Sequence, residues 1–393
     1  MATRNSSREQ NARQAGREAY LTRDFLFICL SGLCFVLCHY MVNPALPLYL
    51  VQMGGTQGQV GMVLAIRPLA ALITRPLGGM LVDKGFLGSL LAFAGLNSVV
   101  SAVSYVFVPA VWLVGAIEAF KGVGVTCYTT ASSTAVADLA PPGRRGEAVG
   151  AYSVLTPVAM AFGPAIGVLV LARTSFATLF FSSAVLGVLS LVLAIQTRWP
   201  RTQRSTSTTL KLVNGDALLP AGALACTAFA MAPLWAFIPL YATQHEMGDL
   251  GPFYTVYAVV MILIRLVSGR LSDIHGRVVV FVPGAFAIAL SNIYLSTDPG
   301  YLGLIAAGAL LGGGLGVAQP ALLTLAIDRA RIEERGSAMS TAWAALDAGL
   351  TLGTLANGLI LDWGGFAVMF GSNAAVALLG VTGFLLLDQR NRS

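Results

Sequence analysis

Residues 265–277 read Arg265-Leu266-Val267-Ser268-Gly269-Arg270-Leu271-Ser272-Asp273-Ile274-His275-Gly276-Arg277. Residues 75–84, 190 positions earlier, read Arg75-Pro76-Leu77-Gly78-Gly79-Met80-Leu81-Val82-Asp83-Lys84. Arg75 falls on Arg265, Gly79 on Gly269, Leu81 on Leu271 and Asp83 on Asp273. The same offset carries Gly122 and Gly124 onto Gly312 and Gly314, Asp138 onto Asp328, Arg145-Gly146 onto Arg335-Gly336, and Gly163 onto Gly353. One register held over this much of the chain marks two parallel halves with the same internal plan, an arrangement of transporters that places the site between the halves near mid-membrane.

Each copy of the motif closes a long apolar run. Of 393 residues, 56% are apolar and 11% charged, and 43 are glycine; ordinary soluble domains carry roughly 25% charged residues. The mean hydropathy is +0.75. So few charges cannot cover a soluble surface, and so many apolar residues exclude a disordered chain. A spanning helix needs about 20 apolar residues. Twelve runs meet that need: 24–50, 58–83, 86–108, 111–139, 145–171, 174–197, 215–243, 249–273, 277–296, 299–328, 335–361 and 364–387. The expected fold is an all-α membrane protein of 12 transmembrane helices, in two six-helix halves related by pseudo-two-fold symmetry. Its parts are an N-terminal tail (1–23), a first half (24–197), an Arg-Ser-Thr-rich linker (198–214), a second half (215–388) and a short C-terminal tail (389–393).

The net charge of +6 and pI of about 9.2 raise the question of a nucleic-acid partner, and the placement of the charges answers it. Of 24 Lys and Arg, 21 fall in tails, turns and helix ends on one side, Arg75 and Arg265 among them. Arg173 stands alone on the other side, and Arg67 and Lys121 lie within spans. By the positive-inside rule both termini are cytoplasmic. Residues 1–23 are polar and lead into an apolar stretch too long for a signal peptide, while Glu9 and Glu18 argue against an organellar transit peptide. The expected location is a plasma membrane of bacterial type (a bacterial inner membrane), with lipid around a monomer and no nucleic acid. Cys29, Cys34, Cys38, Cys127 and Cys226 all fall in spans, where cysteine serves as a small apolar residue. Cys34, Cys38 and His39 have a soft-metal spacing that a helix also produces by chance, so no metal and no cofactor is expected.

Arg67, Glu118, Lys121 and Asp347 sit well inside spans, where each unpaired charge costs about 2.5–3.5 kcal/mol on insertion scales. Such groups face a cavity or find partners. At 100° per residue, Lys121, Tyr128, Thr129, Ser132 and Ser133 all lie within about 80° of Glu118, a polar stripe on one face of span 4. Glu118 and Lys121 are i,i+3 neighbours, and Arg67 lies at a matching depth of roughly 10–14 Å on span 2. Either pairing is open, as a static network or as a substrate and proton site. Asp347 has Ser340, Trp343, Thr351 and Thr354 on its face and no base nearby in sequence, so it is either neutral or paired across the cavity. His39 and Asn43, i,i+4 on span 1, are candidates as a polar site or as a hydrogen-bonded pair.

The turn Gly269-Arg270-Leu271-Ser272-Asp273-Ile274-His275-Gly276-Arg277 resembles the signature between helices 2 and 3 of the major facilitator superfamily, and its repeat between helices 8 and 9. The first-half copy keeps Gly79 and Asp83, but Gly85-Phe86-Leu87-Gly88 lacks the glycine and arginine expected after the aspartate. Gly163-Pro164-Ala165-Ile166-Gly167 resembles the Gly-Pro-x-x-Gly element of the drug:proton antiporter branch, where it implies a bend and tight packing against the other half. The resemblance spans residues 24–388. It implies conformational roles for Gly79, Asp83, Gly269, Asp273, Gly276, Arg277, Gly163, Pro164 and Gly167. It also implies a cavity lined by helices 1, 4, 7 and 10, which brings in Met231, Trp235 and Gln319. In those antiporters the fourth position before the helix-4 glycine is usually a buried arginine. Here that position is Glu118.

These readings converge on secondary active transport. The chain carries no P-loop, so ion gradients are the available energy source. The expectation is proton-coupled efflux of a small anionic or zwitterionic organic molecule; an importer of an organic acid by proton symport is the rival. A membrane enzyme would need a clustered His, Cys, Asp or Ser constellation, which three scattered histidines do not supply. A sensor or scaffold without transport would need a large soluble domain.

Overall fold

A computed structural model describes residues 22–140, 148, 151, 152, 154–199, 213–331 and 334–392. The side chains of Ala137, Ala161, Arg335, Asn391 and Arg392 fall outside that description, as do those of Asp83 and Asp273. The expectations placed on residues 1–21, on Arg144 and Arg145, and on linker residues 200–212 likewise lie outside it. The described residues contain helices and no strand.

Span 1 is Arg23–Val42 followed by Ala45–Gln52. Spans 2 to 6 are Gln57–Asp83, Leu87–Phe107, Val111–Leu139, Leu155–Arg173 and Phe176–Gln196. Span 7 consists of Leu218–Met231, Pro233–Ala236 and Ile238–Gln244, and spans 8, 9 and 10 are Gly251–His275, Arg277–Ser296 and Gly300–Arg329. Among the described residues, eleven helical stretches are long and apolar enough to cross a membrane, and the last of them runs for 55 residues. At 1.5 Å per residue that is roughly 80 Å, far beyond a hydrocarbon core of about 30 Å. Gly365, at φ 70, breaks it into spans 11 (335–364) and 12 (366–392). The twelve-span, two-half architecture follows, with the first and last described residues, 22 and 392, on one face.

Short polar residues open the helices where the chain turns. Thr22 accepts from the Phe25 N–H, and Thr56 and Gln59 form a reciprocal capping box at the head of span 2. Spans 1 and 7, expected to be continuous, are each broken. Span 1 breaks at Asn43-Pro44 and span 7 around Pro233, positions 43 and 233 being equivalent in the repeat. Proline lacks the N–H needed to continue the ladder.

Glycine contacts show the duplication in three dimensions. Gly122 leaves no room for a Cβ against the Arg67 carbonyl, and Gly312 leaves none against the Tyr257 carbonyl, residues 67 and 257 being equivalent. Gly163 packs on Tyr40 and Met41 of span 1, as Gly353 packs on Phe229 and Ala232 of span 7. This corrects the expectation for the Gly163–Gly167 element. Gly163 and Gly167 face span 1 of their own half, buried Pro164 lies within the span 5 helix, and it is Ala165 and Leu169 that border span 8.

The halves meet at the face opposite the termini. Gly61 of span 2 lies against the Gly358 backbone of span 11, and the Asp362 carboxylate accepts from the Gly58 N–H at 3.0 Å, capping span 2 across the halves. Toward the terminal face Gly79 and Gly269 have open space where a Cβ would stand. Neither glycine is used for a close helix approach in this conformation. Gly276 takes φ 92 in the second-half turn, and Gly85 takes φ 87 in the first. The first-half copy thus keeps its left-handed residue one position earlier than the motif suggests.

Overpacking a close contact costs about 1–3 kcal/mol, a factor of roughly 5 to 150 in population. Gly61→Leu is accordingly expected to part the far ends. Spin labels on Gln52 and Gln244 should shift to longer distances, and an unchanged distance distribution would show the contact to be dispensable.

Candidate functional site

Gly122 seats span 4 against span 2, and this backbone contact brings Glu118, one turn earlier, beside Arg67. Glu118 has no exposed side-chain surface, and both Arg67 Nε, at 3.7 Å, and Lys121 Nζ, at 3.5 Å, approach its carboxylate. The Tyr105 hydroxyl of span 3 donates to Glu118 Oε1, and its ring lies 5.5 Å from Lys121 Nζ. Arg67, 26% exposed, reaches past the carboxylate to donate to Asn43 Oδ1 at 2.7 Å, at the break of span 1. His39 is buried nearby. Its Nδ1 lies 2.7 Å from the Phe35 carbonyl, which can only accept, so Nδ1 carries the hydrogen and Nε2 is left as an acceptor. His39 Nε2, Glu118 Oε2 and Lys121 Nζ are buried atoms without a hydrogen-bond partner in the structure. The sequence candidates His39, Asn43, Arg67, Glu118 and Lys121 thus form one group, with Asn43 turned to Arg67 and not to His39.

Asp347 is paired across the halves. Its Oδ2 accepts from Arg75 Nε at 2.5 Å, and the Arg75 guanidinium lies over the half-buried Trp343 ring at 5.6 Å. The sequence reading counts Arg75 and Arg265 with the charges at helix ends. The structure corrects this, because each helix continues two or more turns toward its end and leaves the arginine inside the span. Among the described residues, four cations (Arg67, Arg75, Lys121 and Arg265) then stand well inside the spans against two carboxylates, Glu118 and Asp347.

Trp235 stands in the short middle piece of the broken span 7. Its ring is 5.0 Å from Tyr40 of span 1, 5.9 Å from Tyr254 and 6.0 Å from Tyr257 of span 8. These aromatics join the two halves at the level of both breaks. Tyr40, Tyr105, Tyr257, Arg75 and Arg265 are absent from the sequence-based set. A usable signal exists in Pro44 and Pro233, which fall within one residue of each other under the repeat offset, since interrupted helices in matching positions point to a midplane site.

Other candidates lie apart. Tyr128 stacks on Phe35 at 3.8 Å and donates to Ser31, so it joins the packing of spans 1 and 4, while Thr129 and Ser133 are exposed. Met231 is buried in the apolar core that both halves share, and Gln319 of span 10 is half-buried. At the terminal face Arg277 bonds Ser272 at 3.0 Å and Asp328 at 3.2 Å, tying spans 8, 9 and 10 together. Among the described residues no group of three His, Cys, Asp or Glu side chains could hold a metal ion.

Comparison with known proteins follows the same lines. The sequence profile of the Major Facilitator Superfamily matches residues 28–255 and 218–393. An uncharacterized MFS-type transporter, MJ1560, of Methanocaldococcus jannaschii is 21% identical over 367 residues, covering 88% of this chain and 94% of that protein. The human organic anion transporter MFSD10 superposes with a TM-score of 0.71 at 15% identity, covering 92% of this chain and 99% of that one. A D-xylose-proton symporter gives 0.77 at 16%, covering 93% and 97%. A peptide transporter of the POT type gives 0.78 at 14%, covering 93% and 94%. At these identities the structural likeness speaks for the fold.

Proposed function

The chain belongs to the major facilitator superfamily of membrane transporters, and we propose that it is a proton-coupled exporter of small anionic or zwitterionic organic molecules working by alternating access. The observation that carries this reading is the Arg75–Asp347 pair, which joins the two halves between their packed far ends and their terminal ends. A proton on Asp347 removes the charge that holds Arg75, so protonation loosens a bond between the two moving bodies. That couples a proton to the rocking of the halves without any further cofactor. The surplus of cations inside the spans supports an anionic or zwitterionic cargo, since unpaired charges there are costly. Efflux as the direction is supported by the Gly163-Pro164-x-x-Gly167 element and its resemblance to the antiporter branch. In this reading both termini are cytoplasmic, following the 19 basic residues that remain on that side once Arg75 and Arg265 are placed inside spans. The far ends are then the outer ends, and the structure stands closed to the outside.

The test is transport in everted membrane vesicles energised to an acidic interior. The expected result is accumulation of a substrate drawn from a screen of organic acids and amino acids, with measurable loss of the pH gradient. Accumulation only in right-side-out vesicles would reverse the direction to import. Lack of any movement with any compound would remove transport as the function.

A further inference from the structure

Arg75 and Arg265 hold the same place in the two halves, yet their surroundings differ. Arg75 has Asp347 and the Trp343 ring. The residue equivalent to Asp347 in the first half is Pro157, which offers no carboxylate. Among the described residues, the Arg265 guanidinium has neither an ion-pair nor a hydrogen-bond partner. It lies about 15 Å along span 8 from the helix end, where a lone cation is expensive.

The groups around it are donors. Tyr257 lies two turns before Arg265 on span 8 and about 80° round it, so the two side chains leave the same side of the helix. Tyr257 is fully buried, and its hydroxyl is a buried polar atom without a hydrogen-bond partner. Tyr40 reaches in from span 1 of the other half. Trp235 lies against both tyrosine rings, at 5.0 and 6.0 Å. A buried phenol without a partner and a guanidinium without a counter-ion, walled by an indole, make a donor set that lacks its acceptor. Buried donors of this kind are normally satisfied, and a planar guanidinium matches a carboxylate in two-point geometry.

We propose that Arg265, Tyr257 and Tyr40 bind the carboxylate of the transported molecule. The substrate thereby supplies to the second half the anion that Asp347 supplies to the first. The cargo is a small monocarboxylic acid whose apolar body lies on Trp235. This rests on the transport reading above. It adds a binding residue from each half, so the carboxylate bridges the two moving bodies through Tyr40 and Arg265.

The experiment is calorimetric binding to the purified full-length protein in lipid nanodiscs, with benzoate and octanoate as probes and benzamide and benzylammonium as uncharged and cationic controls. Both carboxylates should bind saturably and the controls should not. A hydrogen bond to a charged group contributes about 1.5–3 kcal/mol, so Arg265→Gln should weaken benzoate by roughly 10- to 150-fold. Arg265→Lys should weaken it less, and Tyr257→Phe by several-fold. Because Arg265 has no partner to lose, Arg265→Gln should keep or raise the melting temperature, a readout that a merely structural arginine would move downward. Benzoate affinity unchanged in Arg265→Gln, absence of carboxylate binding, or equal binding of benzylammonium each overturns the proposal. If vesicles still accumulate a substrate in that case, the transport reading stands and only the site is wrong. If nothing is transported, the transport reading itself has failed.

Discussion

Asp347→Asn is expected to abolish gradient-driven accumulation while substrate exchange across the membrane stays measurable. The Asp347 carboxylate is 9% exposed and bonds Arg75 at 2.5 Å from the opposite half. Asparagine keeps the shape and can still accept a hydrogen bond, but it cannot alternate between a charged and a neutral form. The variant therefore fixes the contact in its protonated likeness, and the halves can still rock without being driven by a proton. Removing one member of a buried pair costs about 3–5 kcal/mol; with the Arg75 side chain 15% exposed, the lower end applies. That cost falls on the folded protein and is read as a lower melting temperature; the loss of accumulation follows from the missing proton site. Asp347→Glu should keep part of the accumulation, and the reversed pair Arg75→Asp with Asp347→Arg should restore some of what either single change removes. Accumulation at the level of the unaltered protein in Asp347→Asn vesicles would mean that the proton travels by another group.

The second large effect falls on stability. Glu118 is fully buried and faces two cations, Arg67 at 3.7 Å and Lys121 at 3.5 Å. Glu118→Gln leaves both without a counter-charge, and a loss of about 3–5 kcal/mol is expected, read as a lower melting temperature in detergent and a lower yield of folded protein. Removing one of the stranded cations should reverse part of the damage, so Glu118→Gln with Lys121→Met is predicted to melt above Glu118→Gln alone. Equal melting temperatures for Glu118→Gln and the unaltered protein would show that water already screens the group. The pair of variants separates charge balance from simple packing, because Lys121→Met on a packing account adds a second defect.

Much of this molecule was legible in one dimension. Hydropathy runs report membrane spans because each helix must satisfy its own backbone in lipid. The offset that joins Asp83 to Asp273 and Gly122 to Gly312 reports duplication because equivalent helices keep equivalent contacts. Arg67, Glu118 and Lys121 stood out because charge inside a span is expensive wherever it occurs. Their grouping was within reach because an i,i+3 spacing and a matching depth are local quantities.

What lay beyond the sequence is everything that depends on which faces turn toward each other. Asp347 has no base near it in the chain, and its partner Arg75 sits 272 positions away on the other half. Nothing in the Arg75 segment distinguishes an arginine at a helix end from one that reaches across the bundle. Gly163 and Gly167 show the same limit: the residues permit a tight approach, and only packing decides that they receive span 1 and not the second half. Arg265 is the sharpest case, since the repeat makes it the twin of Arg75 and only the fold reveals that its position has no carboxylate to meet. Local patterns determine what a segment can do because propensity and solvent transfer act residue by residue. Pairing is decided in space, where charges hundreds of residues apart come within 4 Å and their energy first appears.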